Sequence, residues 1–306
     1  MTEEEQKLFD HYEKETQEYF NKIFPGLTRL LSEGREPFRK HINFLYDIHL
    51  FQNYLLDDQE KYFKSDASIS ISTFYSKAAS DILCLYQCLN QGQIISSMSI
   101  ERNIFESFVN LKLILEKDTI SRIKLYEEFG YVQQWNRIEE YRKYIDSIME
   151  NPQISDEEKK TEEDGYNKLF DAELIKNTSE NYLKVKDNYL SGRPFHWAWK
   201  IYKDEIQKGR NPSIFFICKK LGIEKMYLQF YSLNSIVVHS QPLMSSMLTQ
   251  KGGITPAPNF SDPIKNVAAT SSILVTDIIL LVLSYAKSPK YNEIKDYLNI
   301  KWLSVF

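Results

Sequence analysis

Cysteine, glycine and proline are all scarce in this chain. Three cysteines stand in 306 residues: Cys84 and Cys88, four apart, and the distant Cys218. An odd count without paired spacing gives neither a disulfide framework nor a zinc-finger pattern. The expectation is small buried residues in a reducing, cytoplasmic setting. Ten glycines and ten prolines are too few for a loop-rich all-β protein. No glycine-rich phosphate loop occurs. No His-x3-His or Glu-x-x-His pair suggests a metal, so no metal or other cofactor is expected. An excess of positive charge is also missing. The formal net charge is −4, so no global basic field draws the chain to nucleic acid or anionic lipid. The N-terminus, MTEEEQKLFD, is acidic and lacks the apolar stretch of a secretory signal.

What is present is bulk. Hydrophobic residues make up 42% and aromatics 14%, with twenty Tyr and eighteen Phe, enough for a sizeable core. One run, VAATSSILVTDIILLVLSYA from Val267 to Ala286, approaches membrane-spanning length. Asp277 at its centre would cost roughly 2.5–3.5 kcal/mol in a bilayer. The run therefore reads as a central buried helix, with no membrane span.

The pattern predicts an all-α protein. An acidic amphipathic helix runs from residue 3 to about 24 and stops at Pro25-Gly26. Pro37 suits the first turn of a second helix. Helices follow over Ser68–Leu89, ended by Gly92, and over Gln93 to about Lys117. A fifth, with Asp118 as its cap, continues to about Glu150. Ser155 caps a charged helix, and residues 150–190 form a solvated helical excursion. Asn211-Pro212 opens a short helix that Gly222 ends, and another runs from about Glu224 to Ser240. Gly252-Gly253 through Pro263 reads as a loop. The expected architecture is a single helical bundle, with N-terminal helices in 1–66 continuous with a core in 67–306.

Two helices carry polar groups on apolar faces. Met98, Arg102, Glu106, Val109 and Leu113 recur at spacings of three and four, so Arg102 and Glu106 interrupt one apolar stripe. A buried Arg needs a partner, and Glu106 is one turn away. In YSLNSIVVHSQP, Ser232, Ser235 and His239 share a face, and Tyr231, Ser235 and His239 are four apart. A structural ion pair and a satisfied core histidine are the plain readings. The sharper one gathers Arg102, Glu106, Ser235 and His239 into one polar centre, with Asn103, Tyr231, Ser232 and Asp277 as further members. Trp197 and Trp199, near His196 and Arg193, are candidates to line a pocket or plug a bundle end.

The stretches RNIFESFVNLKLI, HWAWK, NPSIFFICKKLGIEKMY and YSLNSIVVHSQP resemble a widespread bacterial helical family known only as a domain of unknown function. The resemblance covers about residues 70 to 285 and implies a helical bundle. Arg102-Asn103 on a helix is also similar to the HEPN group of helical nucleases, many of them toxins or phage-defence effectors. In that chemistry Arg stabilises phosphate charge and a nearby His takes the 2′-hydroxyl proton. Here Ser107, Phe108 and Val109 stand where that His is expected, so His239 would have to arrive from another helix. Arg35 and His41 match the spacing, but Pro37 lies between them.

These features imply a metal-independent ribonuclease-like or toxin-like effector acting on RNA. Arg102 would bind phosphate, His239 would move the proton, and Glu106 and Ser235 would orient them. A non-enzymatic interaction module with a protein partner is the alternative. A DNA-binding regulator using the helix–Gly–helix stretch 213–231 is the second, although that stretch offers few base-reading side chains.

Overall fold

The computed structural model describes Lys14 and residues 36–57, 69–190, 196–232, 247–250, 253–256 and 261–306. Apart from Lys14, the acidic helix expected over residues 3 to 24 lies outside the described residues. The fold is all-α, as the periodicity predicts. The chain divides into two compact units, Met1–Leu111 with Ile223–Phe306, and Lys112–Gly222.

In the first unit, α1 (Arg39–Asp57) follows a 3-10 turn, Glu36–Phe38, that contains Pro37. It buries Ile42, Leu45, Ile48 and Leu55, spaced to share one face. α2 (Ile69–Asn90) buries Ile71, Phe74, Ala78, Ile82, Leu85 and Leu89. Gly92 then turns the chain with φ 71°, a conformation that favours glycine. α3 (Ile94–Glu116) follows, with Ile104, Phe105, Phe108, Val109 and Leu111 buried. This is the nearly all-round burial expected of that helix.

α10 (Ser261–Tyr285) packs against α1, α2 and α11 (Tyr291–Val305). Its Ile264–Tyr285 stretch is long and apolar enough to cross a membrane, and 56% of its most apolar window is buried in the protein. Gly253–Pro256, expected within a loop, instead pairs antiparallel with Met247–Gln250.

In the second unit, α4 (Thr119–Glu150) packs against α5 (Asp156–Leu169) and α6 (Ala172–Val185). Ser155 and Glu158 form a reciprocal capping box on α5, as the sequence suggests. α5 buries no residue, as a solvated excursion should. Two short helices complete this unit, α7 (Trp199–Tyr202) and α8 (Ile214–Lys220). Asp118 does precede α4, but its φ of 49° is left-handed and its side chain makes no cap bond. The cap assignment from sequence is therefore wrong in mechanism.

The expectation of three buried thiols also needs correction. Cys218 is fully buried, while Cys84 is exposed and Cys88 is half-buried. Both lie off the apolar stripe of α2.

Candidate functional site

The polar stripe on α3 meets a distorted turn. Among the described residues, the helix expected from Glu224 is α-helical over α9 (Glu224–Met226). Tyr227–Ser232 then winds as a π-helix. Such wide turns are rare and occur frequently at functional sites. The segment is held by aromatic packing. Tyr227 stacks on Tyr231 at 5.1 Å, and Tyr231 packs against the buried Phe105 at 5.7 Å. These contacts bring the Tyr231 hydroxyl to the face of α3.

Three groups meet there. Arg102 Nη2 donates to the Tyr231 hydroxyl at 2.8 Å. That hydroxyl donates to Glu106 Oε1 at 2.9 Å. Arg102 Nε donates to the same Oε1 at 3.1 Å. The guanidinium also lies 4.7 Å from the Tyr231 ring centre. The Arg102 and Glu106 side chains are 18% and 36% exposed, so the cluster sits at the edge of the core, open to water.

The electrostatics follow from this setting. Burial pushes the Tyr231 phenol up to about 12, Glu106 adds to the shift, and Arg102 opposes it. Tyr231 is therefore a protonated donor at neutral pH. Burial alone would lower the Arg102 guanidinium, but Tyr231 and Glu106 outweigh it and hold it above its ordinary value. The cluster presents a permanent cation, a neutral donor and a carboxylate around one point. That set suits an anionic oxygen lying beside a hydroxyl.

Three of the predicted residues are thus brought together. Asn103, exposed beside them, uses its carbonyl to accept the Ser107 hydroxyl at 2.9 Å. Ser232 ends the π segment, while Ser235 and His239 lie outside the described residues. Asp277 is half-buried on α10. In the other unit, Trp197 is buried edge-on to Tyr126 at 5.6 Å, and Trp199 opens α7 half-buried.

Two charged groups escaped the sequence. Glu101 is 3% exposed and accepts a hydrogen bond from the Thr270 hydroxyl of α10. The signal was its spacing of four from Ser97 and Phe105, which are both fully buried. In the second unit Arg122 is also 3% exposed. It donates to the Leu113 carbonyl in the last turn of α3 and to Glu116 at 2.9 Å. No spacing rule flags that pair. Among the described residues, no group of three or more His, Cys, Asp and Glu gathers as a metal site.

The model of a family of unknown function, DUF5677, matches residues 66–254, a span that holds Arg102, Glu106, Tyr231, Ser235 and His239. No curated protein and no solved structure matches the chain.

Proposed function

We propose that this chain, which belongs to the DUF5677 family of unknown function, is a metal-independent ribonuclease-like enzyme, acting as a toxin-like effector in bacterial defence. The observation that carries the reading is the meeting of guanidinium, phenol and carboxylate on a water-accessible edge of a largely buried helix.

In the proposed reaction a base takes the proton of a ribose 2′-hydroxyl. The freed oxygen attacks the adjacent phosphorus and forms a cyclic phosphodiester. The 5′-oxygen leaves with a proton from an acid. Arg102 donates to a non-bridging oxygen, where charge builds, while Tyr231, whose one O–H proton goes to Glu106, orients the guanidinium. Glu106 accepts from both Arg102 and Tyr231 and so holds the guanidinium in place, and the roles of orienting group and proton carrier are assigned to Ser235 and His239, which lie outside the described residues.

The test is cleavage of RNA by purified protein in the presence of a chelator. Arg102→Ala and His239→Ala should each lower the rate by about a hundredfold or more. Intact RNA, together with unchanged toxicity in cells for His239→Ala, overturns the proposal.

A second reading has its own support. Two Arg102 donors are already committed to Glu106 and Tyr231, as in a clasp that fixes the π turn on α3. On that reading the chain is an interaction module with a protein partner, and the cluster is structural. Melting temperatures separate the two. Lost turnover at unchanged stability favours the enzyme, and a fall of many degrees in Arg102→Ala favours the clasp.

A further inference from the structure

The surface of α2 holds two thiols that the proposed reaction does not use. Cys84 and Cys88 are one helical turn apart. They lie on the flank of the inward-turned stripe from Ile71 to Leu89, with Cys84 exposed and Cys88 half-buried. Both are free thiols. Burial, and then charge at Cys84, push the Cys88 thiol up.

Geometry decides what such a pair can do. One turn of helix separates the two Cβ atoms by about 5–6 Å. A disulfide needs roughly 3.5–4.5 Å between them, so forming one would distort a helix anchored along its whole inner face. An ion bridging two sulfurs through bonds of roughly 2.3 Å spans about 4.5 Å, which rotamer choice at the two cysteines can meet on an intact helix. The ion must accept only two ligands. Among the described residues, no third His, Cys, Asp or Glu joins the pair. Zinc, which takes four ligands in structural sites, does not fit. Soft thiolate ligands select monovalent copper.

We propose that Cys84 and Cys88 form a two-thiolate site for a soft, two-coordinate metal ion of the monovalent copper class. Binding replaces two thiol protons with one metal ion and changes no oxidation state. Solvent reaches Cys84, which gives the ion its entry. The site lies on a single rigid helix, so its geometry does not depend on closure of a loop.

The experiment is an anaerobic titration of reduced, full-length protein with Cu(I) held by a chromophoric chelator. One ion should be taken up per chain. Cys84→Ser and Cys88→Ser should each weaken uptake by roughly tenfold or more, since each removes one of two ligands. Cys218→Ser should bind like wild type, because that thiol is buried elsewhere. Far-UV circular dichroism should show all three variants folded. Uptake by a C84S/C88S double variant equal to wild type overturns the proposal, as does full wild-type affinity in either single variant.

Discussion

Replacing Tyr231 with Phe removes one oxygen from the centre of the cluster and leaves the ring. The packing on Phe105 and Tyr227 should survive, because both contacts are made by ring faces and edges. What goes is the hydrogen bond from Arg102 and the one to Glu106. A hydrogen bond to a charged group contributes about 1.5–3 kcal/mol when shielded, and an ordinary one about 0.5–1.5. Here the charged partners reach water, and Arg102 keeps its direct bond to Glu106 at 3.1 Å. Exposure and that surviving pair reduce the loss. The expected cost is therefore about 1–2 kcal/mol, not twice the shielded value. At about 2.1 cal/mol/K per residue over 306 residues, unfolding entropy makes that a fall of about 1.5–3 °C in Tm. Thermal unfolding followed by circular dichroism reads it, with urea titration as a second measure. A change below about 0.3 kcal/mol would show that the hydroxyl is not held as described. A loss above about 4 kcal/mol would mean the hydroxyl organises far more of the unit than its two hydrogen bonds imply. If the enzymatic reading holds, RNA cleavage should fall far more steeply than stability does.

Three further outcomes follow from other parts of the molecule. Arg122→Met keeps an apolar stem but loses the bonds to the Leu113 carbonyl and Glu116. Glu116 is 38% exposed and can rehydrate, so the loss should be about 2–3 kcal/mol in urea unfolding, and no measurable loss would refute the role. His196 is pushed down to about 4 by burial, and its Nδ1 accepts the Ala198 N–H at 3.1 Å, which fixes the neutral ring. A depressed folded value means its contribution is present above about 6.5 and is lost as pH falls toward 4. His196→Asn supplies an acceptor that does not titrate, so the stability gap between wild type and variant should shift in the variant's favour across that window. Parallel pH profiles would sink this assignment. Ser155→Ala breaks the capping box on α5 and should cost about 1 kcal/mol, visible as faster hydrogen exchange in its first turn; unchanged exchange there would refute it.

Much of this was legible in the chain. The stripes of α1, α2 and α3, the stop at Gly92 and the Ser155 cap all arise from local spacing, which a single helix expresses alone. The Arg102–Glu106 pair was legible for the same reason, being one turn apart. The Tyr231 hydroxyl was different. Tyr231 is 125 residues from Glu106, and it arrives there only because the backbone widens into a π turn against Phe105. Glu101 belongs to the neighbouring stripe of Ser97, Glu101 and Phe105, which is more deeply buried than the Arg102 stripe, and local spacing does not rank two adjacent stripes by depth. Asp118 was misread because a capping residue type at a capping position says nothing about backbone sign, and at φ 49° its carboxylate makes no cap bond.

The scarcity of glycine and proline excluded a loop-rich all-β chain, and helical spacing then determined an all-α one. Helical periodicity depends on residues three and four apart, and the sequence holds that information directly. It also determined that charged groups interrupt the apolar face of α3. Only the tertiary structure decided how deep each one lies and what answers it. Arg102 came to the water-accessible edge beside a phenol, Glu101 went inside to a threonine, and Cys84 turned outward while Cys88 stayed half-buried. Depth and partnership are set by how elements distant in sequence pack, and no local spacing carries that information.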